Sequence, residues 1–294
     1  FIGIHQVVAQ EISRTEIQKQ LIKDVTFLAH DSLEGRAIGS KGELIAAKYI
    51  AQRFEELGLS PKGTGDTSYF QIFTKKQQLH PHDTEFLGEK LTGRNVVGFV
   101  DRKAKNTIVI GAHYDHLGWG DENSLSEEKA IHNGADDNAS GVAALLSIAE
   151  QLKGISLGNN ILFIAFSGEE KGLLGSNFFV KNSTVDVASF NYMINMDMVG
   201  RLDENRRLAI YGVGTSPSFI PSLNTIDNPS FQFKMDSSGV GPSDHTSFYF
   251  ENVPVLHFFT GQHAQYHKPE DDVELINFDG LTDVSVFISK LINK

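Results

Sequence analysis

Between residues 94 and 259 the chain repeatedly builds short runs that are β-branched or aromatic. They are RNVVGFV (94–100), NTIVIGAH (106–113), NILFIAFSG (160–168), NYMINMDMV (191–199), RLAIYGV (207–213) and NVPVLHFF (252–259). Several are apolar throughout rather than on alternate residues, and a strand of that kind must be covered on both faces. Helical spacing, with apolar residues three and four apart, marks 140–153, 172–181, 216–224 and 280–293. Two further amphipathic segments come first, TEIQKQLIKDVTFLAH (15–30) and GELIAAKYIAQRFEELGL (42–59), the latter with Gly58 near its end as a stop. This alternation predicts an α/β fold of three layers, a mostly parallel mixed sheet with helices on both faces. Residues 60–93, broken by Gly63, Gly65 and Pro81, read as loops with room for edge strands. No repeat or linker divides the chain, so residues 1–294 are expected to form a single domain.

Composition narrows the chemistry. There is no cysteine, which removes both disulfides and thiolate metal sites. Any metal must then be held by His, Asp and Glu. A net charge of −11 argues against nucleic acid as a partner and suits a cationic ligand or bound metal ions. No apolar stretch is long enough to span a bilayer. The first ten residues, FIGIHQVVAQ, fit either the tail of a signal peptide with a VVA cleavage site or an apolar arm packed on the domain. The first of these readings implies a secreted or periplasmic protein. The sequence sets no oligomeric state.

Open α/β sheets bind ligands outside the carboxyl ends of their strands, so the strand exits are the positions to test. TIVIGAHYDHLG delivers His113, Asp115 and His116. HNGADDNASGV places Asp136 and Asp137 in a turn, with Ser140 expected to cap the helix that follows. LFIAFSGEE runs from a buried strand into Glu169 and Glu170, two like charges that are costly unless a cation neutralises them. YMINMDMVG sets a lone Asp197 inside an apolar strand, where a carboxylate needs a positive partner. GQHAQYHKPEDD supplies His263, Tyr266 and His267. Each item alone has a structural explanation. Together they bring His, Asp, Glu, Asp and His to successive exits, a hard N/O donor set suited to Zn²⁺ or a similar divalent ion. Five ligands exceed one open catalytic zinc, but divide over two ions if one carboxylate bridges.

The motifs GAHYDHLG, GADDNASGV, FSGEEKGLLGS, INMDMVG and YHKPED, in this order, resemble those of the secreted di-zinc aminopeptidases. These share their fold with glutamate carboxypeptidase II, glutaminyl cyclases and the transferrin receptor ectodomain. The resemblance runs through residues 94–294. It implies two Zn²⁺ per chain, with His113 and Asp197 on one, Glu170 and His267 on the other, and Asp137 bridging. It further implies Glu169 as general base, Asp115 as the residue orienting His113, and Tyr266 as a hydrogen-bond donor to the reacting carbonyl. A cis peptide between Asp137 and Asn138 belongs to the same pattern. His116, His132, His245 and His263 match no ligand position and are expected to be structural or to line the pocket.

The activity so implied is hydrolysis of the N-terminal peptide bond by a water bridging two zinc ions. The substrate would be a peptide or small amino-acyl compound with a free N-terminus. Three alternatives use the same fold: a carboxypeptidase or dipeptidase on the same site, a single-zinc glutaminyl cyclase, and a metal-free binding module. Cyclases of this type lack part of the first zinc's ligand set, whereas His113 is present here.

Overall fold

The computed structural model describes residues 12–65, 67–76 and 90–294; the stretch 1–10 discussed above lies outside them. Two amphipathic helices come first. In α1 (Arg14–Leu28), Ser13 and Glu16 cap each other reciprocally at the N-terminus. The second, α2 (Lys41–Leu57), starts on the Ser40 hydroxyl and ends on Gly58 in the left-handed conformation.

Nine strands follow among the described residues: β1 (Ser60–Pro61), β2 (Phe70–Lys76), β3 (Lys90–Val100), β4 (Thr107–His113), β5 (Asn160–Phe166), β6 (Phe190–Met196), β7 (Arg207–Tyr211), β8 (Gln232–Asp236) and β9 (Val255–Phe259). They form one sheet in the order β1-β3-β5-β4-β6-β9-β7-β8, with β2 on β3. The central strands β5, β4, β6 and β9 run parallel, and antiparallel pairings flank them at β3–β5 and β7–β9. The interposed helices are α3 (Gly141–Gln151), α4 (Leu174–Lys181), α5 (Phe219–Leu223), α6 (His245–Tyr249) and α7 (Phe278–Ile292).

Strand apolarity is explained by the two cores. On β5, Ile161, Phe163 and Ala165 join the larger core, while Leu162, Ile164 and Phe166 join the smaller one. Period two sends alternate residues to opposite faces, so a strand with helices on both sides is apolar throughout. The larger core packs α1, α2, α3 and α7 on one face; Phe179 of α4 and Phe248 of α6 anchor the other.

Within residues 60–93 lie β1 and β2, at the edge of the sheet as the sequence left room for, and the start of β3. The structure departs from the sequence reading in three places. Strand β8 is a polar edge strand in a stretch to which the sequence reading assigned no element. Asp197 lies just past the end of β6 rather than within the strand. Ser140 does not cap α3: its backbone is already helical, and Asn138 Oδ1 accepts from the Gly141 N–H at 3.0 Å instead.

Candidate metal centre

Four parallel neighbours, β5, β4, β6 and β9, end at the same edge of the sheet. His113 is the last residue of β4, and Asp197 is the first after β6. Glu169 and Glu170 follow β5, and Tyr266 and His267 lie on the loop after β9. The fifth ligand candidate is not on a strand exit. Asp137 sits in the turn before α3, where Gly134 takes a positive φ of 56° and a β-carbon would stand 2.1 Å from the Asp137 carbonyl oxygen. The Asp137–Asn138 peptide is cis, as the resemblance implied. The Asn138 amide pins this turn to the Asp197 segment by accepting from the Met198 N–H at 3.2 Å and donating to the Met196 carbonyl at 3.0 Å.

The Asp137 carboxylate divides its oxygens. Oδ1 lies 3.3 Å from His113 Nε2, and Oδ2 lies 3.3 Å from His267 Nε2. Asp197 Oδ1 is 3.3 Å from the same His113 nitrogen, and Glu170 Oε2 is 3.3 Å from the same His267 nitrogen. Charge-assisted hydrogen bonds are shorter, about 2.7–2.9 Å. A tetrahedral zinc with N and O ligands at about 2.0–2.1 Å separates its ligands by about 3.3–3.4 Å. The donor set therefore fits a pair of divalent ions on the distances between ligand atoms. Asp136, the neighbouring acid, is used differently: its Oδ1 accepts from Ser140 Oγ at 3.0 Å and from the Gly200 N–H at 2.7 Å.

The charge balance agrees. Burial alone would lower the pKa of His113, yet the Glu169 and Asp197 carboxylates raise it well above the imidazole range. Burial also opposes protonation of His267, but Asp137 and Glu170 raise its pKa to about 10. Asp137 is driven far below the usual carboxylate range by the two imidazoles, against its burial. Without a cation the site needs imidazolium protons to offset its acids, a role that divalent ions between these side chains fill instead.

Glu169 groups with His113 and Asp197. Burial, reinforced by the Asp197 and Glu170 charges, raises its pKa well above normal. Asp115 touches His113 less directly than expected. Its carboxylate is 3.8 Å from Nδ1, while its backbone carbonyl lies at 3.2 Å. The carboxylate instead accepts the Glu169 N–H at 3.1 Å. Tyr266 stacks on His267 with centroids 3.8 Å apart, and His267 Nδ1 is held by the Asn123 carbonyl at 2.9 Å. Facing these residues is a cavity of about 370 Å³, whose apolar wall includes Met198, Tyr211, Val240 and Phe259.

His116, expected to be structural or to line the pocket, contacts the second oxygen of Glu170 at 2.7 Å. Several other supporting residues were not visible in the sequence. Asp271 accepts from the Asp136 and Asp137 N–H groups, both at 3.0 Å. Glu43 on α2 is wholly buried under the exits of β4 and β5, accepting from Tyr114 Oη and Ser167 Oγ at 2.8 Å and paired with Arg94. Arg36, also buried, donates to four backbone carbonyls: Leu28, Tyr114, Asn133 and Gly134. Only long-range contacts assign these roles, and no local pattern announces them.

Residues 95–292 match the model of peptidase family M28. Aminopeptidase YwaD of Bacillus subtilis is 29% identical over 205 residues, a match covering 65% of this chain and 42% of that protein. The chain spans about half the length of the curated relatives it matches, with coverage of 46%, 42% and 56% for three of them. A leucine aminopeptidase precursor from Bacteroides thetaiotaomicron shares the fold with a TM-score of 0.73 at 21% identity, covering 97% of this chain and 98% of its own. A glutaminyl cyclase from the same organism aligns with a TM-score of 0.73 at 21% identity, over 97% of this chain and 99% of that one.

Proposed function

Because the chain belongs to peptidase family M28, we propose that it is a zinc-dependent aminopeptidase, a single catalytic domain that cleaves the first peptide bond of substrates with a free N-terminus. The observation that carries this reading is the shared carboxylate. Asp137 faces His113 with one oxygen and His267 with the other, each at 3.3 Å, and Asp197 and Glu170 complete two donor sets. One zinc would be held by His113, Asp197 and Asp137, and a second by Glu170, His267 and Asp137. Bound there, the ions would supply Lewis acidity, lowering the pKa of a water toward about 7 and polarising the scissile carbonyl.

The chain's own groups do the remaining work. Glu169 stands beside His113 and Asp197 without being needed by either donor set. It takes the proton of the attacking water and returns it to the leaving amine. Asp115 fixes Glu169 through its backbone N–H. Tyr266, seated on His267, offers its hydroxyl proton to the carbonyl oxygen as charge develops there. The cationic α-amino group meets an acidic cluster, and the wall of Met198, Tyr211, Val240 and Phe259 takes the first side chain. The presence of both His113 and Asp197 favours hydrolysis over single-zinc cyclisation. An extracytoplasmic location belongs to the same proposal, and fractionation of expressing cells tests it.

The decisive experiment measures metal content and turnover together. We expect two zinc ions per chain, hydrolysis of leucyl p-nitroanilide, and none of its N-acetylated form. One ion with conversion of N-terminal glutamine to pyroglutamate would establish the cyclase instead. Metal with cleavage only at C-terminal glutamate would establish the carboxypeptidase, and absence of both metal and turnover a binding module.

A further inference from the structure

A second cavity, of about 1030 Å³, opens beside the metal centre. Tyr211, Phe259 and Gln262 line both this cavity and the smaller one over the ligands, so the two share a wall. Its charge runs against that of the molecule. The charged lining consists of Arg201, Arg206, Arg207 and Lys234 against Asp203 and Glu204, in a chain of net charge −11.

Two of these cations are already neutralised, Arg206 by Asp283 at 2.8 Å and Arg207 by Asp203 at 2.5 Å. Among the described residues, Arg201 and Lys234 have no carboxylate within ion-pair distance. The Arg201 guanidinium makes one hydrogen bond, from Nη2 to Gln265 Oε1 at 3.1 Å, and its buried Nη1 has no partner, while the backbone N–H donates to Thr260 Oγ1 at 3.3 Å. A guanidinium on a cavity wall with no carboxylate of its own is a ready partner for a ligand carboxylate. Arg201 also stands close to the chemistry in the chain: it follows Asp197 by four residues, and its anchor Gln265 precedes Tyr266.

We propose that this cavity receives the part of a peptide downstream of the scissile bond, and that Arg201 with Lys234 selects a carboxylate there. The proposal rests on the aminopeptidase reading. With the α-amino group at the acidic cluster and the first side chain in the smaller cavity, the leaving segment passes the shared wall into the larger one. The carboxylate comes either from an acidic side chain in the second to fourth residues or from the free C-terminus of a short peptide.

The test uses the zinc-loaded enzyme and Leu-Ala-Ala-Ala amide, with Glu, Gln or Lys replacing each alanine in turn, together with Leu-Ala-Ala as free acid and amide. For at least one position, or for the free acid against its amide, we expect kcat/KM to favour the carboxylate by about five- to tenfold at low salt, narrowing as ionic strength rises. Preference for Glu without preference for the free acid assigns the side chain, and the reverse assigns the C-terminus. Arg201→Gln and Lys234→Gln should each reduce the ratio, and the double variant should bring it near one. Lys234 is exposed, so Lys234→Gln decides the matter if Arg201→Gln does not fold. Equal rates for Glu, Gln and Lys at every position, with no free-acid preference, overturn the proposal. If leucyl p-nitroanilide and all peptides resist hydrolysis, it is the aminopeptidase reading that fails. Fluorescence anisotropy with the same peptides labelled near the C-terminus then tests the cavity alone: tighter binding of the carboxylate forms that is lost in Arg201→Gln supports it, and charge-independent binding overturns it.

Discussion

Arg36→Ala tests how firmly the metal centre depends on a residue that touches no ligand side chain. Arg36 is 1% exposed and donates to Tyr114 O at 2.7 Å, Leu28 O at 2.5 Å, Asn133 O at 2.6 Å and Gly134 O at 3.1 Å. Burial lowers its pKa to about 10, against the pull of Asp115 and Asp137, so it stays charged at neutral pH. Of the four carbonyls, only that of Gly134 has another donor among the described residues, the Ala139 N–H at 3.2 Å. Three buried carbonyls would thus lose their partner, at about 1–3 kcal/mol each. Water entering the vacated space recovers part of this, and the cost of burying the guanidinium disappears. We expect a net loss of about 3–5 kcal/mol, which lowers Tm by roughly 6–15 °C in a protein of this size. Tyr114 and Gly134 adjoin the segments that carry His113 and Asp137, so zinc affinity should fall about 10–100-fold. Urea unfolding and zinc competition measure the two effects. Arg36→Lys, which lacks the planar fork, should recover less than half of the stability. A loss below about 1 kcal/mol in Arg36→Ala, or an Arg36→Lys variant matching the parent, would refute the argument.

Glu169→Gln should keep near-normal metal content while kcat drops about 10²–10⁴-fold; Glu170→Ala should lose affinity for the second ion and activity together, with excess zinc restoring part of the turnover. The reverse pattern exchanges the two roles. Tyr266→Phe should lower kcat by about 10²–10³-fold with little change in metal content, and an unchanged kcat removes Tyr266 from the reaction. His245 is buried and its pKa is lowered to about 4 from 6.5, so the unfolded chain binds the proton that the folded state refuses. Stability should be complete above about pH 6.5 and fall toward pH 4 by about 1.4 kcal/mol per unit from this residue; urea unfolding of EDTA-treated His245→Gln should show a shallower acid limb, and an unchanged limb would contradict the assignment.

What the sequence disclosed depended on range. The central strands were legible because burial on both faces leaves no polar residue to confuse the pattern. Strand β8 was not legible, because QFKMD alternates in burial as an edge strand does and sits among turn residues. The ligand candidates stood out because carboxylates and imidazoles at the ends of apolar strands have few structural reasons to be there. Their supports did not. Arg36 reaches Tyr114 across 78 residues, and Asp271 reaches Asp137 across 134. A lone arginine in EGRAIGS or the first aspartate in KPEDD reads locally as surface. Asp115 shows the limit of motif reasoning: its carboxylate bonds to the Glu169 backbone, which no spacing within YDH could reveal.

The order β5-β4-β6-β9 makes the two proposed donor sets mechanically unequal. His113 and Asp197 end or directly follow adjacent inner strands, and the hydrogen-bonded sheet fixes their separation. Glu170 and His267 come from the outer strands of the four, three strand spacings or about 14 Å apart at the sheet. Loops must bring them together: Glu170 lies four residues past β5, and His267 eight past β9. Loops open locally at a lower free energy than a buried parallel sheet. On heating, the His267 side should come apart while the sheet and the His113–Asp197 pair are still intact. Inactivation would then begin as a reversible local event, several degrees before the chain unfolds.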